Sequence, residues 1–251
     1  MSTTIVIAGK GGTGKTTISA LLVQLLSQRG VVLAIDADPA TNLNQALGVP
    51  LSETVGGIRE EMTQSIMSGT LSPTISKPDY LDGKIRAALE EAKGFDLLAI
   101  GRPEGPGCYC AANNMLRLSI DRLGQNYQYV VIDSEAGMEH ISRQTTRDID
   151  ILLIVSDLTQ RGIKTAAVMK GLIGEMRTRV GRICLVINRS LNGLPTEIGD
   201  TISRHGFETV VTLPQDPYIA DLEIKGLPTT QLPAESPLRL AVHELMGKIG
   251  V

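Results

Sequence analysis

The chain has 251 residues with a formal net charge of −3, and 42% of its residues are hydrophobic and 20% charged. That composition is typical of a globular protein with a large core, and its slight acidity argues against a nucleic-acid-coating protein, whose surface would be basic. With no Trp, two Phe and five Tyr, the chain has too few aromatic residues for a base-stacking surface, so no nucleic-acid partner is expected. It has no long apolar run and no signal-peptide pattern, so we expect a cytoplasmic protein with no membrane partner.

Short β-branched runs predict seven buried strands, and helix-length segments alternate with most of them. The predicted strands are Thr4–Ala8, Val31–Ile35, Leu97–Ile100, Tyr129–Ile132, Ile151–Val155, Ile183–Ile187 and Thr209–Leu213. The predicted helices are Lys15–Gln28, Met115–Leu123, Gln160–Met176, Thr196–Arg204 and Leu238–Lys248. Continuous apolar strands suit a parallel sheet that is covered on both faces. The alternation predicts an α/β fold with a doubly wound, mostly parallel sheet of seven to eight strands flanked by helices.

The chain shows no internal repeat and no convincing linker, so we expect residues 1–251 to form a single domain. Residues 55–95 are its polar, irregular part. They are predicted to form a helical insertion in two pieces around the Ser72–Pro78 loop.

A phosphate-binding loop lies between the first predicted strand and the first predicted helix. The segment Gly9-Lys10-Gly11-Gly12-Thr13-Gly14-Lys15-Thr16 matches the P-loop pattern, so the fold class is that of a P-loop NTPase. Its glycines let backbone N–H groups point inward at an anion, and the helix N-terminus adds positive potential. Lys15 is expected to reach the β- and γ-phosphates and Thr16 to hold Mg²⁺, with Thr17 also in the nucleotide-binding set.

The second lysine of this loop, Lys10, is unusual. The segment Gly9–Thr16 resembles the deviant Walker A motif of the MinD/ParA-type ATPases. The resemblance implies an ATP-dependent homodimer, in which Lys10 reaches the partner's nucleotide and joins Lys15 as a catalytic cation. The alternative interpretation of Lys10 is a solvated surface charge.

Two carboxylates follow the second predicted strand. Asp36 and Asp38 occupy alternate positions, which share a face in extended chain, so both are expected near the phosphates. By resemblance to the family's switch I, Asp38 is the catalytic residue that orients the attacking water, and Asp36 lies near the Mg²⁺ shell. Either residue could instead serve as a helix cap or turn residue.

Two cysteines one residue apart stand in a loop rich in glycine and proline. Cys108 and Cys110 are candidate thiolate ligands for a metal such as Zn²⁺ or Ni²⁺ or for an iron–sulfur cluster. One chain supplies only two of the four ligands of a closed tetrahedral site, and a two-fold dimer axis would supply the others. A redox-active pair and inert loop cysteines remain alternatives. The third cysteine, Cys184, lies in an apolar strand and is expected in the core.

The end of the fourth predicted strand carries a further acidic residue. Asp133 and, four residues later, Gly137 resemble the family's switch II. The resemblance implies that Asp133 binds Mg²⁺ through water and that the Gly137 N–H contacts the γ-phosphate. The alternative for Asp133 is a capping role.

Asn188 and the segment around Pro214 and Gln215 are candidates for contacts with the base. Guanine-binding members of the wider class use Asn-Lys-x-Asp, but Leu191 stands where the Asp would be. ATP is therefore the preferred nucleotide. Asn188 is expected near the adenine edge, and Pro214 and Gln215 resemble the adenine-side loop of the MinD/ParA type.

A narrower resemblance covers nearly the whole chain. Gly107-Cys108-Tyr109-Cys110 and Asp133-Ser134-Glu135-Ala136-Gly137-Met138-Glu139-His140 are similar to the CooC-type nickel-insertion ATPases. The resemblance implies that Cys108 and Cys110 of two protomers bind Ni²⁺, or Zn²⁺ in vitro. It also implies a client such as carbon monoxide dehydrogenase or acetyl-CoA synthase.

Several alternatives remain open at this point. Ser134 and Glu135 depart from the residues that many members carry in switch II. Glu139 and His140 could be metal ligands, part of a dimer face, or structural. An iron–sulfur cluster carrier and a partitioning or positioning ATPase are the competing functions. The expected cofactors are ATP or ADP, Mg²⁺ and the cysteine-bound metal.

Overall fold

The computed structural model describes residues 2–69, 76–102, 110–134, 148–175, 179–191 and 193–251. Within these ranges the chain forms eight strands and nine α-helices. The strands are β1 Thr3–Gly9, β2 Val32–Asp36, β3 Glu90–Ala92, β4 Phe95–Ala99, β5 Tyr129–Asp133, β6 Asp148–Ser156, β7 Arg179–Ser190 and β8 Thr209–Pro214. The helices are α1 Lys15–Leu26, α2 Leu43–Leu47, α3 Val55–Met67, α4 Lys77–Ala87, α5 Cys110–Gly124, α6 Gln160–Glu175, α7 Thr196–Arg204, α8 Pro217–Lys225 and α9 Pro237–Ile249.

All eight strands join one sheet in the order β3-β4-β2-β5-β1-β6-β7-β8. Neighbouring strands are parallel except for β3 and β4, which pair antiparallel at one edge. The predicted α/β class and mostly parallel sheet are therefore confirmed. Strand β3 was absent from the prediction because Glu90-Glu91-Ala92 has no apolar pattern; it forms by pairing with β4 across a turn at Gly94, whose φ is 86°.

Five of the helices correspond to the five that the sequence predicts, with ends that differ by a few residues. Helices α2 and α8 lie outside that prediction. None of the residues of α8 is fully buried, so its sequence lacks the apolar periodicity that marks a core-facing helix. Across the described part of the chain, no helix has the combined length and apolarity that a bilayer crossing requires.

Two layers of helices cover the two faces of the sheet. Alternate residues of β1 divide between them: Val6 and Ala8 belong to one buried cluster, and Ile5 and Ile7 belong to the other. The first cluster is completed by apolar residues of α3 to α7, and the second by residues of α1, α2 and α9. Because both faces are covered, the central strands are apolar throughout rather than alternating.

The order in which the chain adds strands to the sheet changes direction at β1. From β1 it passes outward to β2 and β4, returns to β5 beside β1, and then continues through β6, β7 and β8 on the other side. In open α/β sheets ligands bind outside the carboxyl ends of the strands at such a switch point. The loop that follows β1 therefore lies at the position where a nucleotide site is expected.

Helices α3 and α4 arise from the segment 55–95, which the sequence predicts as irregular and helical in two pieces. Thr54 caps α3 by accepting a hydrogen bond from the Gly57 N–H, and Ser76 caps α4 by accepting from the Asp79 N–H. Arg122 of α5 donates to Asp82 of α4 at 2.9 Å. The last residues of the segment depart from the prediction, because β3 and the start of β4 extend the sheet.

The start of α3 contains two adjacent glycines with different surroundings, which gives a matched test of the fold. A Cβ atom on Gly56 would lie 2.5 Å from the Arg102 carbonyl oxygen, whereas one on Gly57 would meet only the end of the Glu53 side chain at 2.7 Å. We expect Gly56→Ala to lower the free energy of unfolding by about 2 kcal/mol, since backbone must move. Gly57→Ala should change it by less than about 1 kcal/mol, because a flexible side chain can yield.

Urea denaturation of the two variants checks this packing. Equal effects of the two substitutions would contradict the close approach of α3 to the end of β4.

Candidate functional site

The phosphate loop connects the central strand to α1, and its path depends on close contacts that only glycine permits. A Cβ on Gly9 would lie 2.2 Å from the carbonyl oxygen of Val155 on β6. Gly14 is the N-cap of α1 with φ 90°, a left-handed conformation that glycine adopts readily. At Gly9 the chain therefore packs directly against β6. At Gly14 it turns into α1, at the carboxyl edge of the sheet.

The carbonyl oxygen of Lys10 closes the loop on itself. It accepts hydrogen bonds from the Thr13 hydroxyl at 2.8 Å, the Thr13 N–H at 3.4 Å and the Lys15 Nζ at 3.4 Å. The Lys15 side chain is buried, whereas Lys10 is exposed. Lys15 thus lies inside the loop, where a phosphate would be bound, and the Lys10 side chain projects away from the core of its own chain.

A buried carboxylate lies beneath the start of α1. Asp133, at the end of β5, accepts hydrogen bonds from the Thr16 hydroxyl at 2.6 Å and from the Ser19 hydroxyl at 3.1 Å. Burial raises the pKa of Asp133 to about 6, against the lowering effects of these hydroxyls and of Lys15. Ser19 is not among the site residues predicted from the sequence, although its position three residues after Thr16 places both on one face of the helix.

Asp36 lies beside Asp133, because β2 and β5 pair with these two residues in register. Its carboxylate accepts hydrogen bonds from the Asp38 N–H at 3.1 Å and the Leu43 N–H at 2.9 Å. Burial, with a further contribution from the Asp133 charge, raises the pKa of Asp36 to about 7. Asp36 therefore shapes the turn after β2 and the start of α2. These contacts are compatible with the turn alternative, and the place of Asp36 near the Mg²⁺ shell stays a prediction.

Asp38 is half-buried at the same edge of the sheet. Its carboxylate accepts a hydrogen bond from the Ala40 N–H at 2.8 Å, an interaction typical of a turn. Thr41, three residues after Asp38, has a φ of 46°, an uncommon value for a non-glycine residue. The Asp38 segment is thus a tight, locally bonded turn next to the two buried carboxylates.

The residues at the start of α1 fit the Mg²⁺ ion that accompanies a nucleoside triphosphate. Mg²⁺ prefers hard oxygen ligands and is usually held by one or two protein groups together with water and phosphate oxygens. The Thr16 hydroxyl and the buried Asp133 carboxylate are such groups, and they lie 2.6 Å apart. They would hold the ion, which would supply positive charge to the phosphates.

A cleft of about 300 Å³ opens beside the phosphate loop and brings together the residues predicted to contact the base. Gly14, Thr17, Asn188, Pro214 and Gln215 are among those that line it. The Asn188 amide nitrogen donates to the Thr13 carbonyl oxygen at 2.8 Å, and its amide oxygen accepts from the Arg189 N–H at 2.9 Å. Asn188 thus ties the phosphate loop to the end of β7 while bordering the cleft.

Part of the sequence-derived site lies outside the described residues. This applies to Cys108 and Gly137 and to Glu135, Glu139 and His140. Cys110 is the first residue of α5. Ser134 is buried, and its N–H donates to the Ile7 carbonyl oxygen at 3.0 Å. Across the described ranges, no three His, Cys, Asp or Glu side chains are grouped so that they could hold a metal ion.

Cys184 lies in the core, as the sequence predicts. Its side chain is completely buried in β7, and burial raises the pKa of its thiol to about 11. A protonated, inaccessible thiol is not a metal ligand, because the thiolate is the coordinating form.

The sequence is similar to known proteins along most of its length. A family profile described as an AAA domain matches residues 1–185. An uncharacterized ATP-binding protein of Methanocaldococcus jannaschii is 40% identical, with 98% of this chain and 97% of the relative covered. The carbon monoxide dehydrogenase accessory protein CooC of Rhodospirillum rubrum is 33% identical, with 98% of this chain and 95% of the relative covered.

Solved structures share the fold at lower identity. The septum site-determining protein MinD of Pyrococcus horikoshii, complexed with Mg-ADP, superimposes with a TM-score of 0.69 at 21% identity, covering 100% of this chain and 96% of that one. A chain of the MinC:MinD cell division protein complex from Aquifex aeolicus superimposes with a TM-score of 0.66 at 23% identity, covering 98% of this chain and 96% of that one. These likenesses show the eight-stranded α/β fold of this chain to be that of MinD.

The raised pKa of Asp133 predicts a pH-dependent stability difference in the nucleotide-free protein. Because the folded-state pKa lies above the ordinary value of 3.8, the carboxyl stabilises the fold at low pH, and this contribution is lost as pH rises through about 6. Asp133→Asn does not titrate, and its amide can still bond both hydroxyls. Between pH 4.5 and 7.5 the wild type should lose about 2 kcal/mol of unfolding free energy relative to this variant.

Urea denaturation across that pH range measures the difference, with Asp200→Asn on the exposed surface of α7 as the control for an equal charge change. A wild-type-to-Asp133→Asn gap that stays constant with pH would contradict the burial and bonding assigned to Asp133.

Proposed function

We propose, on the premise that this chain belongs to the MinD/ParA-type family of P-loop ATPases, that its ATPase cycle assembles and releases a metal site shared by two copies of the chain. Family membership rests on the AAA-domain match over residues 1–185 and on the relatives at 40% and 33% identity. The metal is proposed to be Ni²⁺, with Zn²⁺ as its substitute in vitro, and Cys108 and Cys110 are its proposed ligands.

At the nucleotide site, each group around the phosphate loop has one proposed role. Lys15 contacts the β- and γ-phosphates from its buried position, and Thr16 and Asp133 hold Mg²⁺. The exposed Lys10 reaches the nucleotide of the partner. Asp38 orients the water that attacks the γ-phosphate, since hydrolysis needs a group that aligns it. The Gly137 N–H contacts the γ-phosphate, and that contact is lost on hydrolysis.

The cleft beside the loop is the proposed adenine site. Asn188, Pro214 and Gln215 line it together with Gly14 and Thr17, directly next to the loop that would hold the phosphates. Leu191, 75% exposed, offers no carboxylate to the donor groups of guanine. These contacts support ATP over GTP.

The observation that carries the metal proposal is the burial of Cys184 in a chain with three cysteines. The chain has three cysteines, and Cys184 is sealed inside β7. Only Cys108 and Cys110 can therefore offer thiolates, and a closed tetrahedral thiolate site needs four. Two chains related by a two-fold axis would supply the four, which makes the metal site dependent on a dimer.

The chain path supports a link between this metal site and the nucleotide. Cys110 is the first residue of α5, and α5 leads into β5, whose last residue is Asp133. One helix and one strand thus join the cysteine pair to the carboxylate beneath the phosphate loop. A displacement of the phosphate-side residues on ATP binding would reach the cysteines along rigid elements.

The relative from Rhodospirillum rubrum supports nickel and a client enzyme. Its name assigns it as an accessory protein of carbon monoxide dehydrogenase, and it is similar to this chain along almost its entire length. We propose a client of the same kind, a nickel enzyme such as carbon monoxide dehydrogenase or acetyl-CoA synthase.

Anaerobic titration with Zn²⁺ or Ni²⁺, combined with light-scattering mass measurement, tests the proposal. With ATP present, the wild type should form a dimer that binds about one metal ion per two chains with tetrahedral geometry. By linkage, metal should strengthen ATP-dependent dimerisation by the same factor by which ATP strengthens metal binding. Cys108→Ala should lose the metal site, and Lys15→Ala should lose nucleotide binding and with it the ATP effect.

Cys184→Ala is the matched control, because it also removes one thiol but leaves the proposed ligands intact. One full-affinity metal ion per monomer, or equal metal affinity with and without ATP, would contradict the shared site. Visible absorbance of an anaerobically purified brown protein would instead favour an iron–sulfur carrier.

A further inference from the structure

A further carboxylate, that of Asp216, is buried beside the cleft. Asp216 lies between β8 and α8 and is 6% exposed. One of its carboxylate oxygens accepts a hydrogen bond from the Tyr218 N–H at 2.9 Å. The other accepts from the Ser236 hydroxyl at 2.5 Å and from the Leu238 N–H at 3.1 Å.

These contacts join the N-termini of two helices through a single side chain. Asp216 is the N-cap of α8, and its second oxygen reaches the first turn of α9. Ser236, the N-cap of α9, donates to Asp216 while accepting from the Arg239 N–H at 3.1 Å. Hydrogen bonds to an ionised carboxylate are stronger than neutral ones, and the positive ends of both helices favour the charge.

The elements that meet at Asp216 are walls of the cleft. Ile219, Ala220 and Glu223 of α8 line it, and so does Leu238 of α9. Pro214 and Gln215, immediately before Asp216, line it as well, and the Gln215 N–H donates to the Ser190 carbonyl oxygen at 3.2 Å. Asp216 thus connects three of the segments that form the side of the cleft away from the phosphate loop.

The phosphate loop is held by different contacts. Its bonds run to Asp133 through Thr16 and to Asn188 through the Thr13 carbonyl oxygen. In the described part of the chain, the Asp216 carboxylate bonds Tyr218, Ser236 and Leu238, none of which belongs to the loop between Gly9 and Thr16. A change at Asp216 should therefore alter one half of the site and spare the other.

We propose that Asp216 is a positioning residue for the nucleoside half of the site, holding α8, α9 and the Pro214–Gln215 segment in the arrangement that binds adenine. This inference rests on the proposed function, because it takes the cleft as the adenine site. It adds that affinity for the base depends on a carboxylate that caps two helices and that need not touch the nucleotide.

Binding of two ligands separates this role from a general effect on folding. Calorimetric titration with Mg-ATP and with Mg-tripolyphosphate, which has no nucleoside, measures the affinity that the base adds. In Asp216→Asn the Kd for Mg-ATP should rise by about tenfold, the equivalent of one charge-assisted hydrogen bond, while that for tripolyphosphate should change by less than about twofold. Asp216→Ser, which can still cap α8 but cannot reach α9, should behave in the same way.

The matched control is Ser76→Ala, which removes a side-chain cap from α4, outside the cleft. It should leave both affinities unchanged, and retained tripolyphosphate binding reports that each variant is folded. Equal weakening of both ligands in the Asp216 variants, or an unchanged ATP affinity, would overturn the inference. A wild type that binds the two ligands equally would overturn the adenine cleft itself, and with it this role of Asp216.

Discussion

Asp133 at the end of β5 accepts hydrogen bonds from Thr16 and Ser19 of α1, and this contact sets the phosphate loop against the sheet. The carboxylate is 1% exposed, so its charge is stabilised by hydroxyl donors and Lys15 rather than by water. Burial raises its pKa in spite of these donors. A divalent cation bound with the phosphates would stabilise the same negative charge.

The sheet topology makes this arrangement possible. Parallel strands bring their carboxyl ends to one edge, so residues far apart in sequence such as Asp36 and Asp133 become neighbours. The reversal of strand order at β1 leaves room for the loop, and β7 and β8 place Asn188 and Pro214 beside it. The phosphate loop and the cleft beside it therefore lie at the same edge of the sheet, and Asn188 connects them, because it bonds the Thr13 carbonyl oxygen while lining the cleft.

The sequence is most informative where one local pattern determines the structure. The glycine-rich loop, the apolar strands and the acidic residue that ends β5 all follow from residue type and spacing. The sequence does not predict strand β3, helix α8 or the double cap at Asp216, because each depends on tertiary partners. The partner of Glu90–Ala92 is β4, and the partners of Asp216 are Ser236 and Leu238. Asp36 shows a further limit, since its spacing from Asp38 predicts a place near the phosphates but not the hydrogen bonds that its oxygens accept from the Asp38 and Leu43 N–H groups.

The central claim is that ATP gathers four thiolates from two chains. Zinc K-edge X-ray absorption tests it most directly on the Asp38→Ala variant, which is expected to bind ATP and hydrolyse it slowly. The account predicts a zinc shell of four sulfur atoms at about 2.3 Å, because Cys108 and Cys110 of each chain would all be ligands. A shell with two sulfur atoms completed by nitrogen or oxygen would contradict it, since fewer than four thiolates would then hold the metal.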